Sequence, residues 1–413
     1  MSLIVMKFGG TSVGDIDRIK NAAAKVAAEV KRGNKVAVVV SAMSGATDQL
    51  IGLCRAISPH YDQREHDAIV STGEQVTAGL MALALQQRGL NARSWQGWQV
   101  RLLTDSTHAK ARIVDIEAKV LRRHIEDGEV GVMAGFQGVT EDGRITTLGR
   151  GGSDTSAVAL AVALKADRCD IYTDVDGVYT TDPRIVETAR KMSRVSYEEM
   201  LELASLGAKV LQVRSVEMAM RYRMPLQVLS TFANEVGSDL PGTLLTEGNE
   251  EMEKNIVTGI AYKRDEAKIT LIQVADAPGT AAHVFTPLAR ASINVDMIVQ
   301  TASDDGRDTD ITFTVSKSDL DRAIKVLEEE KASIGFSKIL AAKNVAKISL
   351  VGVGMRNHVG VAATMFETLA DKDINIHVIE TSEISTSVLI SDEYTELALR
   401  ALHTAYGLDV DKG

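Results

Sequence analysis

Short apolar runs, each broken by glycines or hydroxyls and followed by a helical pattern, recur along the first 245 positions of the chain. Leu3 to Phe8, Lys35 to Val40 and Val130 to Gly135 read as buried strands of a parallel sheet, since a strand covered on both faces needs no polar alternation. Asp15 to Lys31, Gln75 to Gln87 and the Ala/Val/Leu-rich stretch ending near Leu164 read as helices. Asn91 to Leu103, with Trp95 and Trp98 as packing residues, reads as one strand and a surface loop. Glu141 to Arg144 is a hairpin turn leading to Ile145 to Leu148, and Asp170 onward is a further strand. Ser196 and Glu199 form a capping box for a helix that Gly207 ends, Lys209 begins another, and Pro225 to Leu229 supplies the last strand. This alternation predicts a layered α/β domain with a mainly parallel central sheet over residues 1–245.

Beyond residue 245 the pattern changes. Thr246 to Lys254 is polar and acidic, as a linker is, and with the strand after it fills residues 246–264. From there the chain repeats itself. Ala267-Lys268-Ile269-Thr270-Leu271 returns as Ala346-Lys347-Ile348-Ser349-Leu350, Gly279 as Gly360, Phe285 as Phe366, and Ile293-Asn294-Val295 as Ile374-Asn375-Ile376. Each copy, 265–342 and 343–413, reads strand, glycine turn, helix, strand, strand, helix. The two predict a pseudo-symmetric pair of small α+β domains.

Composition narrows the function. A formal charge of -10 over 413 residues argues against general nucleic-acid binding, so any phosphate chemistry is local. Two cysteines are too few for a disulfide framework, and no apolar run reaches the roughly 18 residues of a membrane span; a cytoplasmic protein without a membrane partner is expected.

Candidate chemistry gathers at strand ends. Lys7 closes the first strand, and its ammonium can reach a phosphate held over Gly9 and Gly10; a tight turn with a solvated lysine explains the same residues. The loop after the second strand offers Ser41, Ser44 and Thr47 where open α/β sheets bind ligands, although Thr47 also suits the N-cap of the next helix. Glu74 stands in the first turn of a helix facing the same end, a place where dipole compensation alone accounts for a carboxylate. Leu148-Gly149-Arg150-Gly151-Gly152-Ser153-Asp154-Thr155 joins a strand end, glycines, an arginine fork and a helix N-terminus, an anion site by construction, or else a glycine turn capped by Ser153 or Asp154. Asp174 and Asp176 flank Val175 as metal ligands or turn formers; with no His or third carboxylate at matching spacing, no metal site is assigned. In the repeats, Gly279 and Asn294 either make turns or turn amide groups toward a small zwitterion.

Taken in order, Lys7-Phe8-Gly9-Gly10-Thr11-Ser12, Ser71-Thr72-Gly73-Glu74, Ala134-Gly135-Phe136-Gln137-Gly138, Thr147 to Asp154, Thr173 to Tyr179 and the tandem repeat from Ala267 resemble the aspartate kinases over nearly the whole chain. The resemblance implies an amino-acid-kinase domain followed by two ACT domains of ferredoxin-like βαββαβ form. It implies transfer of the ATP γ-phosphoryl group, with Mg²⁺, to the side-chain carboxylate of L-aspartate, on the route to lysine, threonine and methionine. Such a carboxylate, with a reference pKa of about 3.9, is already an ionised nucleophile at neutral pH, so no catalytic base is required. By the same resemblance Lys7, Asp154 and Lys209 are catalytic, with Asp154 orienting the two lysines and Lys7, Gly9 and Gly10 holding the phosphoryl group. Thr173, Asp174, Tyr179, Arg184 and Lys209 line the nucleotide pocket. Arg150 takes the α-carboxylate of the substrate, with Ser41, Thr47, Glu74, Gly151, Gly152 and Ser153 around it. Asp276, Gly279, Asn294, Gln300 and Asn375 bind an effector, lysine or threonine or both; Thr301 stands where relatives often carry Asn. Homo-oligomers form through the ACT domains, and relatives that make a separate C-terminal chain start it where Met252 stands. The alternative is a catalytically silent amino-acid sensor on a kinase fold, against which Lys7, Arg150, Asp154 and Lys209 stand together.

Overall fold

Both faces of Leu3–Phe8 (β1) and Lys35–Val40 (β2) are covered, and in each strand only the first residue is not fully buried, which is why these runs carry no alternation. The computed structural model describes residues 2–208, 210–249, 255–302 and 308–410. They divide into two compact units: residues 1–179, 191–205 and 209–252, and residues 180–190, 206–208 and 253–413.

In the first unit the strands continue as β3 (Ala92–Trp95), β4 (Leu102–Thr104), β5 (Ile113–Ile116), β6 (Val130–Ala134), β7 (Gln137–Val139), β8 (Ile145–Thr147), β9 (Arg168–Thr173), β10 (Arg194–Ser196), β11 (Leu226–Ser230) and β12 (Thr243–Thr246). Eight of them form one sheet in the order β10-β12-β11-β9-β1-β2-β6-β3. Every neighbouring pair is parallel except β11 and β12. A second sheet, β5-β4-β7-β8, carries the hairpin before the glycine-rich loop. The helices Ile16–Lys31 and Thr72–Gln86 cover the face to which Ile4, Met6, Phe8, Val36, Val38 and Val40 point. Alternation along a strand sends Val5, Ala37 and Val39 to the other face, and the helix Gly152–Leu164 packs on β1, β2 and β9.

Several local expectations change. Asn91 to Leu103 holds two strands, β3 and β4, and while Trp95 is buried, Trp98 is 43% exposed. The helix Ala46–Ile57 is capped by Gly45, so Thr47 lies inside its first turn. The helix Gly152–Leu164 is capped by Gly151 at φ 68°, which puts Ser153 and Asp154 inside the first turn with their side chains free for other work. The helix after Gly207 begins at Val213; Lys209 lies outside the described residues, as does Met252. The stretch Gln63–Gln86 is apolar and long enough to cross a membrane by composition. Its Ala78, Met81, Ala82 and Leu85 instead join the core beside the sheet.

The second unit is built on one antiparallel sheet of β13 (Gly259–Ala275), β14 (Asp296–Ala302), β15 (Asp308–Val315), β16 (Lys338–Val351), β17 (Ile376–Thr381) and β18 (Ser385–Ser391), in the order β14-β15-β13-β16-β18-β17. Helices Thr280–Arg290 and Leu320–Glu329 belong to the first repeat, Val361–Ala370 and Thr395–Ala405 to the second, and each repeat has its own core. Both central strands are long enough to serve both repeats. Lys338 to Ala342 pairs with Lys268 to Ile272 and completes the first; Gly259 to Lys263, ahead of the first repeat in sequence, pairs with Lys347 to Val351 and completes the second.

Candidate active site

The strand order β9-β1-β2-β6 sets four carboxyl ends side by side. The Gly9 amide donates to the Tyr172 carbonyl at 3.2 Å, the Ser41 amide to Phe8 at 3.0 Å, and the Gly135 amide to Val40 at 3.0 Å. The loops leaving these ends form the crevice in which open α/β sheets bind ligands.

Lys7, the next-to-last residue of β1, is 7% exposed, and its Nζ lies 2.5 Å from Oδ1 of Asp154 in the first turn of the helix Gly152–Leu164. A Cβ on Gly9 would stand 3.4 Å from that Nζ, and one on Gly10 would stand 3.1 Å from the Ala42 carbonyl, so glycines let the main chain run close to the ammonium. Ser12 and Thr231 fix the far side of the turn through hydroxyls 2.6 Å apart. The result is a cation under a backbone turn, suited to an anion with two or more oxygens.

On the loop side of β2, Glu74 is buried in the first turn of the helix Thr72–Gln86. Its Oε1 accepts the Ala42 amide at 3.0 Å, while Oε2 has no partner. Burial pushes this carboxyl up to about 7, against the pull of the amides of Ala42 and of Glu74 itself. Arg150 is exposed and makes no ion pair with any described residue; it sits between Gly149 at φ 77° and Gly151 at φ 68°. Ser153 packs on Gly135, and Ser41 and Thr47 are half-buried on neighbouring loops. A Cβ on Gly151 would fall 1.9 Å from Cγ of Gln212. Gly151→Ala must therefore displace Gln212 and hold alanine in the left-handed region; we expect catalytic efficiency with the amino-acid substrate to fall by roughly tenfold or more while the melting temperature moves little, read by steady-state kinetics beside a thermal melt.

At the end of β9, the Thr173 hydroxyl donates to Asp174 at 3.1 Å. Tyr179 donates its hydroxyl to Asp176 at 3.0 Å, and Lys191 pairs with the same carboxylate at 3.2 Å, so Asp176 shapes a turn. No three His, Cys, Asp or Glu side chains among the described residues stand close enough together to hold a metal. Arg184 belongs to the second unit, where its guanidinium pairs with Asp182 at 2.7 Å. Of the proposed effector residues, Asp276 and Gln300 meet at 3.4 Å, Gly279 caps the helix Thr280–Arg290 at φ 100°, and Asn294 and Asn375 occupy matching exposed positions of the two repeats. Two charged residues at the site escaped sequence reading. Asp67, fully buried, and Arg214 grip the backbone ahead of Gly149; their only sequence signal is an ionisable residue on a helix face that turns inward.

The amino acid kinase family model matches residues 2–230, and an ACT domain model matches twice, at 272–330 and 348–406. An aspartate kinase of Stutzerimonas stutzeri (strain A1501) is 55% identical over 414 residues, covering 100% of this chain and 99% of the relative. Aspartokinase 2 of Bacillus subtilis (strain 168) is 49% identical over 409 residues, with 99% and 98% covered. Among solved structures, E. coli aspartokinase III in complex with aspartate and ADP, described as the R-state, superposes with a TM-score of 0.79 at 28% identity over 98% of this chain and 99% of that one. The same enzyme in complex with lysine and aspartate, the T-state, gives 0.77 at 27% identity over the same shares. The chain belongs to the amino acid kinase family and carries two ACT domains behind the kinase domain. Within that family its place is among the aspartate kinases.

Proposed function

We propose that this chain phosphorylates the side-chain carboxylate of L-aspartate with ATP in the strand-end crevice of its first unit. The buried Lys7–Asp154 pair under the Gly9–Gly10 turn is the observation that carries the reading. The difficulty of the reaction is the meeting of two anions, a carboxylate and a phosphoryl group, and each needs positive charge rather than a base. Lys7 and the amides of Gly9 and Gly10 hold the transferring group, with Asp154 keeping the ammonium in place. The fork of Arg150 receives the α-carboxylate, the unpaired oxygen of Glu74 receives the α-ammonium, and Ser41, Thr47 and Ser153 fill the remaining polar positions. The two contacts on the α-carbon groups leave the side-chain carboxylate as the end presented to ATP. Thr173, Asp174 and Tyr179 serve the nucleotide, as the ADP complex of the E. coli relative encourages. Asp174, with no cation beside it among the described residues, would be the carboxylate to join the Mg²⁺ that accompanies ATP, where the metal would offset phosphate charge.

The second unit reads as the sensor. Asp276, Gln300, Asn294 and the N-terminus of the helix Thr280–Arg290 suit a zwitterion, and the lysine complex of the same relative favours lysine, alone or with threonine; a homo-oligomer through the ACT domains is the assembly expected with it. Incubation with ATP, Mg²⁺ and L-aspartate, with hydroxylamine to trap the acyl phosphate, should give hydroxamate from aspartate and not from glutamate, and lysine or threonine should suppress it. Absence of hydroxamate from folded protein returns the reading to a silent sensor.

A further inference from the structure

Arg150 sits in a loop with a left-handed glycine on either side, backbone that glycine adopts without strain, so contacts outside that loop must aim it. Two charged side chains do so by gripping main chain. Asp67, in the helix Gln63–Val70, has no exposed surface. Its Oδ2 accepts the amides of Ala109 at 2.9 Å and Thr147 at 3.1 Å and faces His108 Nδ1 at 2.9 Å; its Oδ1 accepts the Thr147 hydroxyl at 2.6 Å and faces His66 Nδ1 at 3.2 Å. From the other side Arg214, at the start of the helix Val213–Tyr222, donates Nη1 to the Leu148 carbonyl at 2.6 Å and Nη2 to the Ala111 carbonyl at 2.9 Å. The two gripped strands of chain are themselves joined by the Ala111 amide and the Thr147 carbonyl at 2.9 Å. Residues 109–111 and 147–148 are thus held by an anion that takes their N–H groups and a cation that takes their C=O groups, immediately before Gly149. The next step is set by contact: a Cβ on Gly149 would lie 3.0 Å from the Ala109 carbonyl, and the Gly152 amide returns to the Gly149 carbonyl at 3.0 Å. The path from gripped chain to the Arg150 fork contains no free joint except Arg150 itself.

We propose that Asp67 and Arg214 are positioning residues for aspartate recognition, fixing the direction in which the 149–152 loop presents Arg150 and its amides to the substrate. The proposal rests on Arg150 being the ligand of the α-carboxylate. Neither residue is assigned a substrate contact of its own: the Asp67 carboxylate is taken up by two main-chain amides, the Thr147 hydroxyl and two imidazoles, and both terminal nitrogens of Arg214 by carbonyls. Their loss therefore acts on the amino acid and spares the nucleotide, which lies at β1 and β9.

The test uses the full-length protein with Asp67→Asn, Arg214→Gln, Arg150→Ala and the double variant Asp67→Asn/Arg150→Ala, measuring kcat, KM for aspartate and KM for ATP, with a melt of each. In Asp67→Asn the new amide group opposes N–H groups the carboxylate accepted, and KM for aspartate should rise roughly ten- to a hundredfold, with KM for ATP within about twofold. Arg214→Gln should give the same split, and Arg214→Lys, which can keep one carbonyl, should recover part of it. In the Arg150→Ala background Asp67→Asn should add little, because the group it aims is gone. If Arg150→Ala raises KM for aspartate while folded Asp67→Asn and Arg214→Gln do not, positioning is refuted and the Arg150 reading stands. If Arg150→Ala itself leaves that KM unchanged, both fall. Parallel rises in both Michaelis constants, or loss of the cooperative melt in both single variants, would show that the pair holds the domain and not the loop.

Discussion

Lys7→Ala should lose at least about a thousandfold in turnover at saturating ATP and aspartate, the scale seen when a fixed charge-stabilising group is taken from a dry site. The argument is electrostatic. An aspartate carboxylate and a γ-phosphoryl group approach to bonding distance, and at 7% exposure there is little water near Lys7 to screen them. The same removal strands Asp154, which is 8% exposed and has no other cation beside it among the described residues, at a cost of about 3–5 kcal/mol in stability. Activity and stability would then fall together, and the loss of turnover could be mistaken for unfolding. A second change separates them. Lys7→Ala/Asp154→Asn removes the stranded charge, so its melting temperature should return most of the way to wild type while turnover does not return. A folded Lys7→Ala variant with near-wild-type turnover would remove Lys7 from the phosphoryl site.

How much of this was legible beforehand depends on what kind of force decides each feature. The strands β1, β2 and β6 were readable because complete burial leaves an uninterrupted apolar run, and the glycine turns after them because backbone close to a side chain excludes a Cβ, as at Gly9 beside Lys7. Helix caps stay ambiguous in sequence where candidates compete: Ser153 and Asp154 have capping chemistry, but a left-handed Gly151 does the capping and leaves Asp154 free to meet Lys7. Strand partners were not readable at all. Gly259 to Lys263 looks like an entry strand to the first repeat, yet its register is with Lys347 to Val351, a choice made by two cores and not by local pattern. Asp67 was invisible for a related reason: His66-Asp67 reads as a polar helix face, and only the folded chain shows that the partners of that face are amides of residues 109 and 147.

Glu74→Gln should make the first unit more stable and the enzyme worse. Burial raises the Glu74 carboxyl from 4.5 to about 7, so the folded chain holds its proton more tightly than the unfolded chain does. A raised value means that stability is fully present below about 4.5, declines as pH climbs, and is lost once pH has passed through about 7. Above that, ionised Glu74 costs about 3 kcal/mol. Glutamine keeps the shape, can still accept the Ala42 amide, and never ionises, so urea melts at pH 8 should show the variant gaining up to that amount, with no gain near pH 4. Catalysis should move the other way. With the α-ammonium of aspartate on the unpaired Oε2, binding draws the proton off Glu74, and the wild-type KM for aspartate should fall as pH rises through about 7 and then level. The variant offers that ammonium no charge; its KM should be roughly ten- to a hundredfold higher at pH 8 and should lack the step near 7, with KM for ATP unchanged. A Glu74→Gln enzyme that gains stability above pH 7 but keeps the wild-type KM for aspartate would mean that the buried carboxylate faces no ammonium, and the amino group of the substrate would have to be sought nearer Ser41 and Thr47.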